Sequence, residues 1–259
     1  MIRNDVGVII PARFNSSRFP GKPLTLINGE PMLLHVYSRI RKVAEENQIY
    51  VATDSQIISD FCKKSGIRSI MTSEKCFTGT DRVAEANSKL NFEIVVNVQG
   101  DEPVINPNDI ARAIDQKYLN FNCVINGFSS FVVNENSVDN SIPKIVMRED
   151  STLIYASRTN VPALHGNTKM ESRQLSRQIC IYVYDRRQLE AFHSYGRKSV
   201  LESQEDIEIL RFLELEIPVK MIEMESTIAV DYPIDIVKVE NFISLKTKEY
   251  SETPSKTQH

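Results

Sequence analysis

Cysteine and histidine are scarce in this chain, four of each among 259 residues, and neither is grouped. Cys62, Cys76, Cys123 and Cys180 lack the short paired spacing of a zinc site or a disulfide framework, so they read as ordinary buried thiols. His35, His165, His193 and His259 are far apart in sequence and suggest no metal cluster. No apolar run approaches the roughly 20 residues that span a bilayer, so no membrane insertion is expected. A surplus of one charge is also missing: 31 basic and 34 acidic residues give a formal net charge of -3. Without a basic stripe, a nucleic-acid partner is not expected. The opening MIRND leads straight into a strand-like run, so no signal peptide is expected and the cytoplasm is the expected compartment.

What is present is the pattern of an α/β protein long enough to bury a substantial core. VGVII (6–10) is apolar throughout, as a strand covered on both faces should be. After Pro31, Leu33, Val36, Tyr37 and Ile40 recur at helical spacing. Strands follow at 48–53, 67–71 and 93–98, separated by helices over 55–64 and 79–90. From about residue 122 the segments CVINGFSSFVV, PKIVMR, STLIYASR and QICIYVY read as antiparallel or mixed strands. A helix carrying Glu202, Glu205 and Glu208 then runs to about Glu216. Two strands, PVKMIEM and STIAV, precede a helix opened by Pro233. The expected fold is an open, mixed but mainly parallel sheet flanked by helices, with a smaller strand-rich excursion over 125–220. Residues 1–249 read as one domain and 250–259 as a flexible tail.

The loop after the first strand, PARFNSSRFPGKPL (11–24), carries Arg13, Arg18 and Lys22 with two serines and a glycine. Ligands of open parallel sheets bind beyond the carboxyl ends of the strands. Cations with small residues there suit a triphosphate, although neither GxxxxGK[ST] nor GxGxxG is present, and a solvated basic loop would look similar. Asp101 follows the strand at 93–98, and Asp231 follows the one at 226–230. If those strands are neighbours, the two carboxylates face one crevice and describe a magnesium site completed by phosphate and water. Taken singly, either aspartate fits a turn or a helix cap.

Together the 11–24 loop, YVATDSQII, TGTDRVAEA, VVNVQGDEPVI, Ser157 with Arg158, the 201–211 stretch and AVDYPIDI resemble the CMP-Kdo synthetases, or 3-deoxy-manno-octulosonate cytidylyltransferases, of bacterial lipopolysaccharide assembly. The resemblance runs over about 6–245 and implies a nucleotide-diphospho-sugar transferase fold, with CTP, a sugar acid and Mg2+ as ligands and a homodimer built through the strand-rich part. It implies a nucleotide cradle of Pro11, Ala12, Arg13, Arg18 and Lys22, and a base and sugar environment including Arg82 and Gln99. Asp101 and Asp231 match the magnesium ligands, and Arg158 matches an arginine that grips the sugar carboxylate. Tyr182, Glu205 and Glu208 fall in sugar-side motifs. Two positions depart from the family pattern there: Gln178 replaces a histidine and Ile209 a glutamine. Glu205, Asp206 and Glu208 could favour a substrate ammonium, making the 8-amino-3,8-dideoxy acid the first candidate beside Kdo itself. A nucleotidyltransferase for another acid or for UTP, and a silent nucleotide-binding module, are the alternatives.

Overall fold

The computed structural model describes residues 1–15, 19–131, 138–162 and 175–252. Arg18 and tail residues 253–259 lie outside them. The first half contains strand β1 (Val6–Ala12), a hairpin of β2 (Leu26–Ile27) and β3 (Glu30–Pro31), helix α1 (Met32–Ile40), β4 (Ile49–Thr53), α2 (Gln56–Lys64), β5 (Ser69–Met71), α3 (Gly79–Leu90), β6 (Ile94–Val98) and α4 (Pro107–Leu119). The second half contains β7 (Val124–Ser130), β8 (Lys144–Met147), β9 (Leu153–Ser157), β10 (Ser176–Asp185), α5 (Arg186–Ser194), α6 (Val200–Glu205), α7 (Leu210–Glu214), β11 (Val219–Glu223) and α8 (Ile234–Glu252).

The main sheet runs β11-β7-β10-β6-β1-β4-β5, with β8 and β9 branching from β10. Strands β6, β1, β4 and β5 pair in parallel, as do β7 and β11, whereas β10 is antiparallel to β6 and β7. This is the mixed, mainly parallel sheet expected, and the strand rhythm beyond residue 122 extends it.

Alternation along β1 divides the core between the two faces. Val8 and Ile10 pack on one side with Leu33 and Val36 of α1, Ile58 of α2 and Ile110 of α4. Ile9 packs on the other with Val83 of α3, Phe192 of α5 and Phe212 of α7. Each fully buried side chain of this kind contributes about 1.5–3 kcal/mol, which is what clamps the helices to the sheet. A third cluster, Ile27, Met32, Val104, Val230 and Val239, seats α8 beside the β1 loop.

Helices α4 and α5 occupy stretches to which periodicity assigned no element. Their starts are marked chemically: the Asn106 side chain accepts from the Asn108 N–H ahead of α4, and Asp185 and Gln188 form a capping box at α5.

Two expectations are corrected. The helix expected to run through Glu202 to Glu216 is two helices, because Asp206 turns the chain into the left-handed region at φ 52°. Residues 226–230 form no strand. Their apolar side chains are used in the third cluster instead, and the Val230 N–H donates to the Asp101 carbonyl (2.9 Å) rather than to a ladder.

Candidate active site

After β1 the chain places β4 and β5 on one side, then returns to add β6 on the other. Connections diverge at that point, so a crevice opens beyond the carboxyl ends of β1 and β6. A cleft of about 310 Å³ lies there, lined by Pro11, Ala12, Arg13, Lys22, Arg82, Gln99, Asp101 and Asp231 among others. Because β10 runs against β6, with Ile181 opposite Val98, its first half reaches the same end of the sheet. That brings Gln178, Cys180 and Tyr182 into the wall.

At the β1 end, Gly21 takes φ 72° at the start of the 3-10 turn Lys22–Leu24, a conformation that suits glycine. Its N–H donates to the Phe14 carbonyl (2.8 Å) and closes the loop. Lys22 then reaches across the cleft: Nζ donates to Asp101 Oδ2 (2.7 Å) and to the Val230 carbonyl (2.8 Å). Arg13 is exposed at the mouth. Arg82 is buried and committed, donating to Asp54 Oδ2 (2.6 Å) and Thr72 Oγ1 (2.5 Å). Helix α3 begins beside them with a capping box of Thr78 and Asp81. A Cβ on Gly79 would stand 2.7 Å from Gln99 Nε2, so a side chain there would displace the Gln99 amide.

The far end is built by hydrogen bonds among buried polar groups. Arg211 is fully buried, its guanidinium bonded to Asp81 (2.8 and 3.1 Å) and to both oxygens of Glu202 (2.7 Å each). This pins α6 and α7 to the start of α3. Glu208 is thereby held in the wall, accepting from the Thr80 N–H (3.0 Å) and Gln99 Nε2 (2.8 Å). Gln178 Nε2 donates to Asn126 Oδ1 (2.9 Å) beneath the cleft, close to the Tyr182 hydroxyl.

Two expected contact residues are placed differently from the sequence expectation, and a third lies in the wall with its guanidinium already engaged. Ile209 is fully buried in the second apolar cluster rather than in the cleft wall, because the break at Asp206 rephases the chain that follows. Glu205 does not line the cleft; its carboxylate accepts from Ser157 Oγ (2.8 Å) and the Arg158 N–H (2.8 Å), tying α6 to the end of β9. Arg158 does line it, but its guanidinium donates to the carbonyls of Asn140, Ser141, Glu205 and Asp206.

Among the residues not anticipated in or near the wall, two are charged. Lys198 lines the cleft and donates to Asp206 Oδ1 (2.6 Å); it precedes the Ser199 and Glu202 capping box, a signal that could have placed it at a helix entrance. Glu102, next to Asp101, is 1% exposed, and its oxygens accept from the Cys180 N–H (3.3 Å) and Thr227 Oγ1 (3.0 Å). No local pattern marks it as buried.

Burial governs ionisation here. Glu102 is pushed up to about 7 by desolvation, reinforced by the neighbouring Asp101. Burial also raises the Glu208 carboxyl and holds the Cys180 thiol and Tyr182 phenol well above their ordinary ranges. Among the described residues no three His, Cys, Asp or Glu side chains assemble as a metal-binding group. Asp101 and Asp231 nonetheless both line one cleft, the backbone before Asp231 bonded to the Asp101 carbonyl, and the Asp101 oxygen already attracts an ammonium. That donor set fits a hard divalent cation that keeps phosphate and water as its other ligands.

A sequence profile described as cytidylyltransferase matches residues 7–222. The chain belongs to the cytidylyltransferase family. Within the family, it is 36% identical over 251 residues to the 8-amino-3,8-dideoxy-manno-octulosonate cytidylyltransferase of Shewanella oneidensis, covering 93% of this chain and 99% of that protein. It is 34% identical over 252 residues to the 3-deoxy-manno-octulosonate cytidylyltransferase of Parabacteroides distasonis, covering 91% and 97%. A solved structure of CMP:2-keto-3-deoxy-manno-octonic acid synthetase complexed with CTP superposes with a TM-score of 0.82 at 31% identity, over 93% of this cytidylyltransferase and 99% of that chain. No helix among the described residues is long and apolar enough to cross a membrane.

Proposed function

We propose that this cytidylyltransferase couples CTP to a 3-deoxy-manno-octulosonate-type sugar acid, Kdo or its 8-amino analogue, giving the CMP-sugar and pyrophosphate for lipopolysaccharide synthesis. The observation that carries the reading is the cleft beyond β1 and β6, where Lys22 joins Asp101 to the segment bearing Asp231. The anomeric oxygen of the sugar bonds to the α-phosphorus of CTP, the bond to the α,β-bridging oxygen breaks, pyrophosphate departs and the hydroxyl proton passes to solvent. The attacking group belongs to the substrate, so positioning and charge stabilisation are what the protein supplies.

Arg13 and Lys22 face the phosphates and offset the charge that builds on the leaving pyrophosphate. Asp101 and Asp231 hold Mg2+, which when bound neutralises phosphate charge and makes the sugar hydroxyl more acidic. Gln99, Gln178, Tyr182 and Glu208 form the polar wall at the sugar end, where Arg158 and Lys198 are the cations that would meet the sugar carboxylate. In this reading Glu208, with Asp206 where a substrate ammonium would compete with Lys198, is the acidic feature of the wall that favours the 8-amino acid over Kdo. The enzyme works as a cytoplasmic homodimer in this reading, and sedimentation of the purified protein checks the dimer.

The test is pyrophosphate release from CTP and Mg2+ with a panel of 3-deoxy sugar acids that includes Kdo and the 8-amino acid, with UTP run in parallel. Release is expected with CTP and an octulosonate acid, fastest with the 8-amino form. Absence of release with every acid overturns the reading.

A further inference from the structure

Asp231 must stand opposite Asp101 although the residues before it, 226–230, join no strand. A ladder would have fixed that segment at each successive residue; here Ile228 and Val230 pack in the third cluster, the Asp231 N–H donates to Asp235 Oδ2 (3.1 Å), and separate ties reach toward Asp101. One is the Val230 N–H, which donates to the Asp101 carbonyl (2.9 Å), and a second is the Lys22 ammonium on the Val230 carbonyl (2.8 Å). The third lies deeper. Thr227 is 2% exposed, and its hydroxyl donates to Glu102 Oε2 (3.0 Å). The other oxygen of Glu102 accepts from the Cys180 N–H (3.3 Å), at the place where β10 shifts register against β7 between Ile179 and Tyr182.

Glu102 therefore joins three parts of the chain: the loop after β6, the irregular point of β10 and the segment leading to Asp231. Burying a carboxylate costs several kcal/mol that an apolar side chain of the same size would not. What the carboxylate has that an apolar group lacks is two acceptor oxygens facing donors on two different elements.

We propose that Glu102 is a positioning residue: its buried carboxylate, through Thr227, sets where Asp231 stands relative to Asp101. Asp101 turns its side chain to the cleft, and the next residue turns inward and holds the partner segment in place. This rests on the reading that Asp101 and Asp231 hold the divalent cation. Residues that orient ligating carboxylates change metal affinity by about 10- to 100-fold when removed.

Thr227→Val keeps the shape of the side chain and cuts one tie. It is expected to weaken Mn2+ binding to the purified protein, followed by electron paramagnetic resonance, by about tenfold. The Mg2+ concentration for half-maximal pyrophosphate release should rise by a similar factor, while kcat at saturating Mg2+ stays within about twofold of wild type, as expected for loss of an orienting contact. A general loss of structure would not separate those two numbers. Glu102→Gln retains an acceptor for Cys180 and can donate to the Thr227 hydroxyl, so it should bind Mn2+ within about twofold of wild type, whereas Glu102→Ala should be at least as weak as Thr227→Val. Unchanged Mn2+ affinity in Thr227→Val overturns this proposal alone. Wild-type protein that binds no Mn2+ and needs no divalent cation overturns the cation reading and this proposal with it.

Discussion

The two ends of the cleft are held in place by different means. At one end Ala12 and Asp101 lie on or just beyond the ends of β1 and β6, where sheet register decides their place, and Lys22 is brought to them by the turn at Gly21. At the other end Glu208, Gln178, Arg158 and Lys198 owe their places to side-chain hydrogen bonds spread over α3, the end of β6, β7, β10 and the turns flanking α6. The first construction tolerates changes to individual neighbours, since a parallel ladder has many bonds. The second is a network in which removing one member strands its partners.

The largest effect on that contrast should come from Arg211→Met. It leaves Asp81 and Glu202, both buried, without their cation and should cost about 3–5 kcal/mol in urea unfolding. A loss below about 1 kcal/mol would mean that the network does not hold the sugar end. Next is Asp101→Asn, expected to slow pyrophosphate release by roughly two to three orders of magnitude, as loss of one charge-stabilising group does, while far-ultraviolet circular dichroism stays unchanged. A near-normal rate would remove Asp101 from the chemistry.

Ile209→Val sharpens the comparison further. With Ile209 fully buried, the change should cost about 1 kcal/mol of stability and leave the ratio of kcat/KM for Kdo and its 8-amino analogue untouched. A shifted ratio would return this position to the sugar side.

The smallest effect is a slope. Burial raises the Glu208 carboxyl above its ordinary value of 4.5, so the folded protein holds that proton more tightly than the unfolded chain does. The associated stability is fully present below pH 4.5 and is lost as pH rises through the folded value. The difference in unfolding free energy between wild type and Glu208→Gln, measured stepwise upward from pH 4.5, should shift against wild type. A flat difference would place Glu208 in water.

These contrasts also mark what could be read before any coordinates. Asp101 was legible because a polar residue just after an apolar run must emerge at a strand end, and Lys22 because it is one of the cations grouped with small residues in the loop after β1. Ile209 was not, since its direction depends on one left-handed residue, Asp206, that rephases everything after it, and Glu205 was not, since its direction depends on donors about 48 residues away at Ser157 and Arg158. Arg158 was recognised as a cation of the site, but its engagement by four carbonyls depends on where residues 140, 141, 205 and 206 fold.

The sequence by itself determined the parallel βα rhythm, the basic loop after β1 and the motifs that resemble the cytidylyltransferases, because apolar period, capping and turn chemistry act between near neighbours. Tertiary structure decided that residues 226–230 give up a strand for a seat under α8, that Glu102 turns inward to Thr227, and that Glu208 rather than Glu205 enters the cleft. Those outcomes are set by bonds between residues 125 and 128 positions apart, such as Glu102 with Thr227 and Thr80 with Glu208. Contacts that distant exist only once the sheet has brought both partners to the same edge.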